Sequence, residues 1–508
     1  MVRKTVVRKN RYFDSVFLMQ VARRIAAQPG ISDASAVLAT EANRKSLTKI
    51  GYAGDAGFDT AGPNDLVVAV SGDERAVDAV LANVEQFFTH ATPIADAQPQ
   101  RHSIAEAVAA RPDASVAVIS VPGEFAAREA RAALEQGLNV FLFSSNVAVE
   151  DELALKTDAR QRGLIVMGPD CGTSFLGGAG VGFANAVRRG PIGIVASAGT
   201  GMQELASLIH RAGSGISHGI GTGARDLSEG IGGISTLTAI EVLENDDATT
   251  VIAVLSKPPA AHVARVIEER LARCTKPTVL CLLGSGRKPA TIDEAAALAL
   301  QAAGVSHPAP ARRSDEMLAR ALDQLSPERR YIRGVFAGGT LCYQAQVIFR
   351  DAGIAVRSNE PLPGMAKLAN PDESLEHSFI DMGAEEFVHG RPHPMIDATL
   401  RRERIEREGA DRSVAVILLD FVLGAIASND PAGDLLPSIR KVQQQSPIVF
   451  VASVCGTDED TQNFAAQTRA LEDAGVLVFA SAAEAAAFSL DVVRRLAERK
   501  ELVHADQA

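Results

Sequence analysis

Two segments of sequence decide the fold of this chain: IGIVASAGTGMQELASLIHRAG at residues 192–213 and IRGVFAGGTLCYQAQVIFRDAG at residues 332–353. They align without a gap and share an isoleucine, a valine, a Gly-Thr pair and an Ala-Gly pair at matching positions. Each is typical of a buried strand, a glycine turn and an amphipathic helix in succession. The repeat therefore predicts two domains of one fold that face each other with pseudo-twofold symmetry.

The turn between strand and helix is the first candidate site in each copy. Free N–H groups and the helix dipole converge at a helix start, and glycine lets a ligand approach the backbone. Ligands also bind at the carboxyl ends of parallel strands. We expect the two turns to bind the two ends of a small dianionic substrate. The alternative is that these glycines only permit tight packing. The candidate catalytic residues are Ser197, Gly199, Thr200, Gly201, Gly338, Gly339 and Thr340.

A second glycine cluster follows the first copy, in GIGTGARD at residues 219–226. A loop that cradles a phosphate or carboxylate needs several glycines and a cation. The alternative for the glycine cluster is a plain connection between elements. For Arg287 it is a solvated basic turn at residues 285–288, and for Asp420 it is the capping of a turn. The candidate anion-binding residues are Gly221, Thr222, Gly223, Arg225, Asp226, Arg287 and Asp420.

Other polar residues have competing interpretations. Asp381, like Asp420, ends an apolar β run, where a catalytic role and a capping role are alternatives. HGRPHPMID at residues 389–397 contains two histidines and an aspartate, but its prolines favour a loop over a helical metal pair. His210 falls within a helix and is expected to be structural. No metal site is predicted.

Alternation of strands and helices organises the rest of the chain. Strands separated by helices of about 10–15 residues indicate βαβ units and parallel sheets. The predicted fold class is α/β, with a Rossmann-like domain and two flavodoxin-like parallel-sheet domains after a small ferredoxin-like N-terminal domain. The ferredoxin-like domain is predicted at residues 1–90 and the Rossmann-like domain at 102–190, with a linker at 92–101 between them. The two flavodoxin-like domains are predicted at 191–328 and 329–508.

Composition excludes several classes of protein. The formal net charge is -11 and Trp is absent, so neither nucleic acid nor an anionic membrane is an expected partner. The basic N-terminus lacks an apolar segment, and no run of about 18 apolar residues occurs. Five scattered cysteines favour reduced thiols over a zinc site or disulfides. We therefore predict a cytoplasmic protein.

Residues 115–286 resemble the α subunit of succinyl-CoA synthetase. MGPDC at 167–171 is similar to that family's Ile-Gly-Pro-Asn-Cys, and GIVASAGT at 193–200 resembles the turn that opens one of its two phosphate-facing helices. The Rossmann-like domain then corresponds to a CoA-binding domain. The whole chain, with GPDCGTSFLGG, GTGARDLSEGIGGI and SKPP, is similar to the FdrA family in particular.

Departures from the synthetases bear on mechanism. Their phosphorylated histidine lies in a Gly-His-Ala-Gly loop, but here that loop reads GSGRKPATID and no histidine stands between His262 and His307. Ser256-Lys257-Pro258-Pro259 replaces the glutamate that holds it. The ATP-grasp domain is missing, as is the first strand of the CoA-binding domain with its GxTGxxG loop. No cofactor is assigned, and coenzyme A remains an alternative.

The resemblance implies a subunit of oxamate carbamoyltransferase in allantoin degradation, which converts oxalurate and phosphate to oxamate and carbamoyl phosphate. The implied partners are a small anionic substrate, further subunits of a transferase complex and a second copy of the chain. An ADP-forming acyl-CoA ligase that relays phosphate through another histidine, such as His218, is the second hypothesis. A non-catalytic regulatory or scaffold protein is the third.

Overall fold

The computed structural model describes residues 2–11, 13, 15–49, 51–52, 56–88, 101–306, 315–326, 328–388 and 391–505. The chain divides into two compact units between Arg101 and His102. All but the last residue of the predicted linker at 92–101 lies outside the described residues. Among the helices that are described, none combines the length and apolarity needed to cross a lipid bilayer.

The N-terminal unit is a three-stranded sheet between two apolar layers. Its elements are β1 (Val2–Arg8), α1 (Ser15–Ala26), β2 (Ile31–Leu38), α2 (Glu41–Lys49), α3 (Ala56–Asp59), β3 (Leu66–Gly72), α4 (Glu74–Ala82) and a 3-10 turn at Val84–Phe87.

Strand β3 lies between β1 and β2 and is antiparallel to both. It is buried on both faces because Val68 and Val70 pack in the cluster of α1 and α4, while Val67 and Ala69 pack with Phe58. This is the predicted ferredoxin-like order for three strands, with α2 and α3 added between β2 and β3. A fourth strand would fall at residues 89–100, outside the described residues.

The second unit begins with a small parallel sheet of order β4-β5-β6. Ser103 caps the first helix as its sequence predicts, since its Oγ accepts the Glu106 N–H at 3.2 Å. The βαβαβ arrangement confirms the Rossmann-like prediction. The elements are α5 (Ile104–Ala110), β4 (Val116–Ile119), α6 (Gly123–Glu135), β5 (Asn139–Leu142), α7 (Val149–Gln161) and β6 (Val166–Met167).

A six-stranded sheet follows, with the order β12-β11-β9-β10-β7-β8. Its first four strands are parallel, and the hairpin β7–β8 adds antiparallel to β10. The elements are β7 (Thr173–Leu176), β8 (Ala179–Gly182), β9 (Arg189–Ala196), α8 (Gly199–Arg211), β10 (Ile216–Gly221), α9 (Ile234–Asn245), β11 (Val251–Ser256), α10 (Ala261–Ala272), β12 (Thr278–Leu282), α11 (Ile292–Ala302) and α12 (Asp315–Asp323).

A seven-stranded parallel sheet completes the unit, with the order β15-β14-β16-β13-β17-β18-β19. The elements are β13 (Tyr331–Phe336), α13 (Gly339–Asp351), β14 (Arg357–Ser358), β15 (Ala366–Lys367), β16 (Ser378–Asp381), α14 (Glu385–Val388), α15 (Thr399–Ala410), β17 (Val414–Val422), α16 (Pro431–Gln445), β18 (Val449–Cys455), α17 (Phe464–Asp473), β19 (Leu477–Phe479) and α18 (Ala482–Ala505).

The two large sheets share one topology, which confirms the flavodoxin-like prediction. In the six-stranded sheet β9 lies between β10 and β11, and in the seven-stranded sheet β13 lies between β16 and β17, so the strand before each glycine turn is an inner strand. One hydrophobic core joins both sheets and contains Leu205 and Leu341 from the repeated helices. The predicted domain boundaries remain predictions, although the hairpin β7–β8, inside the predicted range 102–190, pairs with the six-stranded sheet.

Candidate functional site

The starts of α8 and α13 meet at the repeated threonines. The Thr340 N–H donates to Thr200 Oγ1 at 3.3 Å. Gly201 permits this approach because a Cβ there would lie 2.8 Å from the Thr340 methyl group. Both turns lie at carboxyl ends of parallel strands, β9 and β13, as the repeat predicts.

The α8 start has unpaired hydrogen-bond donors. The N–H groups of Gly199, Thr200 and Gly201 donate to no acceptor in the described part of the chain, and no side chain caps this helix. Hydroxyl groups lie beside the turn, with Ser197 Oγ 2.9 Å from Ser256 Oγ. A helix start of this kind attracts an anion, because its N–H groups carry partial positive charge.

The α13 start, in contrast, already holds an anion that belongs to the chain. Asp420 is fully buried, and its two oxygens accept the Ala337 and Gly338 N–H groups, both at 2.7 Å. Arg401 donates to the same carboxylate at 2.9 Å. Asp420, predicted to bind an anionic substrate, is therefore engaged by groups of its own chain, and the surroundings of the two turns differ.

A second carboxyl group lies against the α13 start. A Cβ on Gly339 would be 2.5 Å from Asp381 Oδ2, and Asp381 Oδ1 accepts the Gly383 N–H at 2.9 Å. Burial raises the pKa of Asp381 to about 6, with Lys257 opposing the rise and Glu360 adding to it. This carboxyl group therefore changes its charge close to neutral pH.

Two cations, Lys257 and Arg225, act on the carboxyl group of Asp170. Lys257 directly follows β11, is half-buried, and holds its Nζ 5.1 Å from the centroid of the Tyr343 ring. Arg225 donates to the Val147 carbonyl at 2.7 Å. The side chain of Asp170 is accessible to solvent, but protein surrounds it on most sides. This enclosure raises the pKa of Asp170, and the charges of Arg225 and Lys257 oppose the rise. Side chains that are both accessible and enclosed are typical of a cleft.

Lys257 is a residue that the sequence interpretation did not select, although it stands in the SKPP segment. One signal in the sequence could have identified it. Lys257 is a cation that stands directly after a buried strand, at the end where ligands bind to parallel sheets. The pairing of β11 with β9 brings it to the turn.

His393 also belongs to this region. Its ring centroid lies 5.4 Å from that of Phe183, and its Nδ1 accepts the Met395 N–H at 3.2 Å. Burial, with the charge of Arg401, lowers the pKa of His393 to about 4, so the ring is neutral at physiological pH.

Of the other two residues in the histidine loop, His389 lies outside the described residues. Asp397 accepts the Thr399 N–H at 2.9 Å and so caps the start of α15. No group of histidine, cysteine and carboxylate side chains suited to a metal ion occurs in the described ranges.

The second glycine cluster serves packing instead of ligand binding. Gly221 belongs to β10, and a Cβ there would lie 2.3 Å from the Thr173 carbonyl oxygen. Gly223 is equally enclosed, and Thr222 is fully buried. Asp226 is buried too and binds Lys156 Nζ at 2.7 Å. These contacts speak against an anion-cradling loop, and Arg225 itself is paired with Glu152 at 3.0 Å.

Three other predicted residues lie elsewhere. Arg287 is exposed and pairs with Glu268 on α10. His218 accepts the Gly177 N–H at 3.0 Å on its Nδ1, and its Nε2 lies 3.9 Å from Asp246, at the amino-terminal side of β11. His210 is buried and bonds to Asp458, a structural role as predicted.

Comparison with known proteins places these features in a family. Residues 335–492 match the family model described as CoA-ligase, and residues 1–105 match the one described as AllF, heavy metal-associated domain. The uncharacterized protein YahF of Escherichia coli is 41% identical over 496 residues, which span 94% of this chain and 96% of YahF. This chain belongs to the YahF family. The CoA-ligase match runs from β13 into α18 and includes Asp381, His393 and Asp420.

Solved structures give weaker likenesses. The dinucleotide-forming acetyl-coenzyme A synthetase 1 of Ca. Korarchaeum cryptofilum is 18% identical with a TM-score of 0.28, over 78% of this chain and 85% of that one. ATP citrate lyase of Methanothrix soehngenii, in complex with citrate and coenzyme A, is 20% identical with a TM-score of 0.35, over 44% and 46%. Both TM-scores are low, and nothing about this chain follows from them.

Proposed function

We propose that this chain is an enzyme subunit that transfers a carbamoyl group between phosphate and an amide nitrogen, converting oxalurate and phosphate to oxamate and carbamoyl phosphate. One observation carries the proposal: the α8 start offers three unpaired N–H groups near Lys257, whereas at the α13 start the Thr340 N–H is paired with Thr200 and Asp420 holds the two N–H groups that precede the helix. We therefore place one phosphate at the α8 start, with the carboxyl groups of Asp381 and Asp420 on the side of α13. The resemblance to the FdrA family implies the reaction, and the AllF-type N-terminal match supports a role in the allantoin pathway.

The strength of such a site suits a metabolite. A helix start contributes up to roughly 2 kcal/mol to binding of an anion when it is partly buried. Lys257 adds a charge-assisted contact. Millimolar to micromolar binding corresponds to about 4–8 kcal/mol. The same N–H groups can stabilise the oxyanion that forms as phosphate attacks the carbamoyl carbon.

The alternative is an acyl-CoA ligase reaction, which the CoA-ligase match favours. The loop after β12, residues 283–291, contains no histidine to relay phosphate. Coenzyme A also fits poorly. At the start of α6, a Cβ on Gly123 would lie 2.3 Å from the Ser145 carbonyl oxygen, so the chain's own backbone fills that helix start. The proposal therefore assigns coenzyme A no part.

An assay of carbamoyl phosphate consumption tests the proposal. The purified chain is incubated with oxamate and carbamoyl phosphate, alone and with the proteins encoded beside it, and oxalurate and phosphate are measured. We expect oxamate-dependent turnover in the combined sample. Absence of turnover there, together with CoA-dependent ADP formation from ATP, would instead support the ligase.

A further inference from the structure

Two polar side chains that the proposed reaction leaves unassigned meet beside Gly383. Asp381 Oδ1 accepts the Gly383 N–H at 2.9 Å. His393 Nε2 lies 2.8 Å from the position that a Cβ on Gly383 would take. The other oxygen of Asp381 abuts Gly339, at the helix start that touches Thr200. Asp381 thus extends from His393 to the junction of the two turns.

The hydrogen bonds of His393 fix which of its nitrogens carries a proton. Nδ1 accepts the Met395 N–H, so the proton of the neutral ring resides on Nε2, the atom beside Gly383. The low pKa of about 4 keeps the ring neutral. His393 can therefore donate a hydrogen bond towards the site, but it has no free nitrogen to accept a proton there.

The proposed reaction requires one proton to move. An oxygen of HPO4²⁻ attacks the carbamoyl carbon, a C–O bond forms, and the bond from that carbon to the oxamate nitrogen breaks. The phosphate proton ends on that nitrogen, so none is gained or lost overall. A group between the phosphate and the leaving nitrogen must accept this proton and return it.

We propose that Asp381 carries this proton from phosphate to the leaving nitrogen, and that His393 Nε2–H donates a hydrogen bond to the carbamoyl oxygen as it becomes negative. The assignment rests on the function proposed above. Asp381 has the required position because it faces the turn contact on one side and His393 on the other. Asp420 is excluded because the Ala337 and Gly338 N–H groups and Arg401 engage its oxygens.

The charge environment of Asp381 agrees with this role. A general acid–base group works best when its pKa is close to the working pH, and the pKa of Asp381 is about 6. The groups that face it come from five elements or loops: Lys257 after β11, Glu360 after β14, Asp420 on β17, Cys342 on α13 and His393 before α15.

Sulfate, which mimics phosphate but does not titrate near neutrality, tests the placement of Asp381 without turnover. Its binding to the full-length chain is measured calorimetrically at pH 6.5 in two buffers of different ionisation enthalpy, which gives the protons taken up. We expect uptake of a fraction of a proton, because the dianion raises the pKa of Asp381. Asp381→Asn should abolish the uptake and bind sulfate several-fold more tightly. Asp372→Asn, in an exposed loop, is the matched control.

Kinetics of the reconstituted enzyme test the catalytic roles. Asp381→Asn should lower kcat about 100- to 10,000-fold and remove the acidic limb of the pH profile. His393→Gln keeps a side-chain N–H and should lose far less than His393→Phe, for which we expect a loss of about 100- to 1000-fold.

The outcomes separate the two proposals. Equal proton uptake by wild type and Asp381→Asn, no sulfate binding, or an unchanged acidic limb overturns the assignment of Asp381. Equal activity of His393→Phe and His393→Gln overturns that of His393. A third outcome is proton uptake that depends on Asp381, together with no carbamoyl transfer by the wild-type enzyme. That outcome rejects the proposed reaction but keeps Asp381 beside the bound anion.

Discussion

At the scale of single residues, the candidate site depends on a difference between two otherwise similar turns. The α13 turn holds Asp420 against its N–H groups, whereas the α8 turn has hydroxyl groups beside it and Lys257 close by. Asp420 accepts the two N–H groups that precede α13, and the Thr340 N–H in the first turn of that helix is paired with Thr200 Oγ1. Asp420 lies within β17, whereas Lys257 follows the last residue of β11, so the two charges reach the two turns from different positions.

Neutralising Lys257 should weaken anion binding. Lys257→Gln removes the positive charge but keeps a polar side chain, and we expect phosphate affinity to fall about tenfold, or about 1.4 kcal/mol. Calorimetric titration with phosphate checks this. Lys288→Gln, at an exposed lysine that pairs with Glu294, should leave the affinity unchanged. An equal loss in both variants would show a general charge effect in place of a site.

Adding one methyl group to the α8 turn should be harmful to binding. In Gly199→Ala, the new Cβ would lie 3.2 Å from Thr173 Oγ1, so this side chain must shift by a few tenths of an ångström, and the methyl group obstructs approach to the N–H groups. We expect the unfolding midpoint to change little and the anion affinity to fall several-fold. Gly230→Ala, where the nearest atom to the Cβ is 3.9 Å away, is the control. Gly339→Val is a poorer test, because its side chain would collide with Asp381.

At the scale of helices and strands, α8 carries a buried acid that makes stability depend on pH. Glu204 is fully buried, and burial raises its pKa to about 7. The folded chain therefore binds a proton that the unfolded chain releases at lower pH. Stability is greatest below the unfolded pKa of about 4.3, falls as pH rises towards 7, and is level above that.

Glu204→Gln should remove this part of the pH dependence. The substitution leaves the shape but no ionisable group, so above pH 7 the variant should be more stable than wild type by roughly 3 kcal/mol. Chemical denaturation at pH 5 and pH 8 measures the difference, which we expect to be about 1 kcal/mol at pH 5 and to reach its full size at pH 8. Glu241→Gln, at an exposed position of α9, should change stability little at either pH.

Elements with strong local patterns could be predicted from the sequence. Both copies of the repeat, the capping box at Ser103 and the βαβ units match the structure because strand and helix periodicities are local properties. Strand β10 was missed since its glycines suggest a loop; they are there because Phe175 and Met202 leave no room for a Cβ at Gly219. Lys257, Asp381 and His393 come from three distant segments, and only the packing of two sheets brings them together.

At the scale of the whole molecule, the absence of a histidine after β12 predicts how the protein handles phosphate. Incubation with radiolabelled ATP or carbamoyl phosphate should give no stable, acid-labile phosphoenzyme. Burial keeps His393 neutral, but its Nε2 lies on the same side of Gly383 as the carboxyl group of Asp381, which disfavours an attached phosphate. Stoichiometric labelling would contradict this expectation and support the ligase, and loss of the label in His393→Gln would identify the residue.

The contact of Thr200 with Thr340 has a consequence for the origin of the chain. Thr200 and Thr340 are equivalent positions of the repeat and are in contact. The pseudo-twofold axis that relates the two copies therefore passes close to this contact. Before duplication and fusion, the same contact would have joined two identical chains as a symmetric dimer, with two equal sites. Once both copies shared one polypeptide, each could mutate independently. The two copies now differ, because Asp420 lies against the backbone before α13 and no carboxylate takes that place before α8 among the described residues.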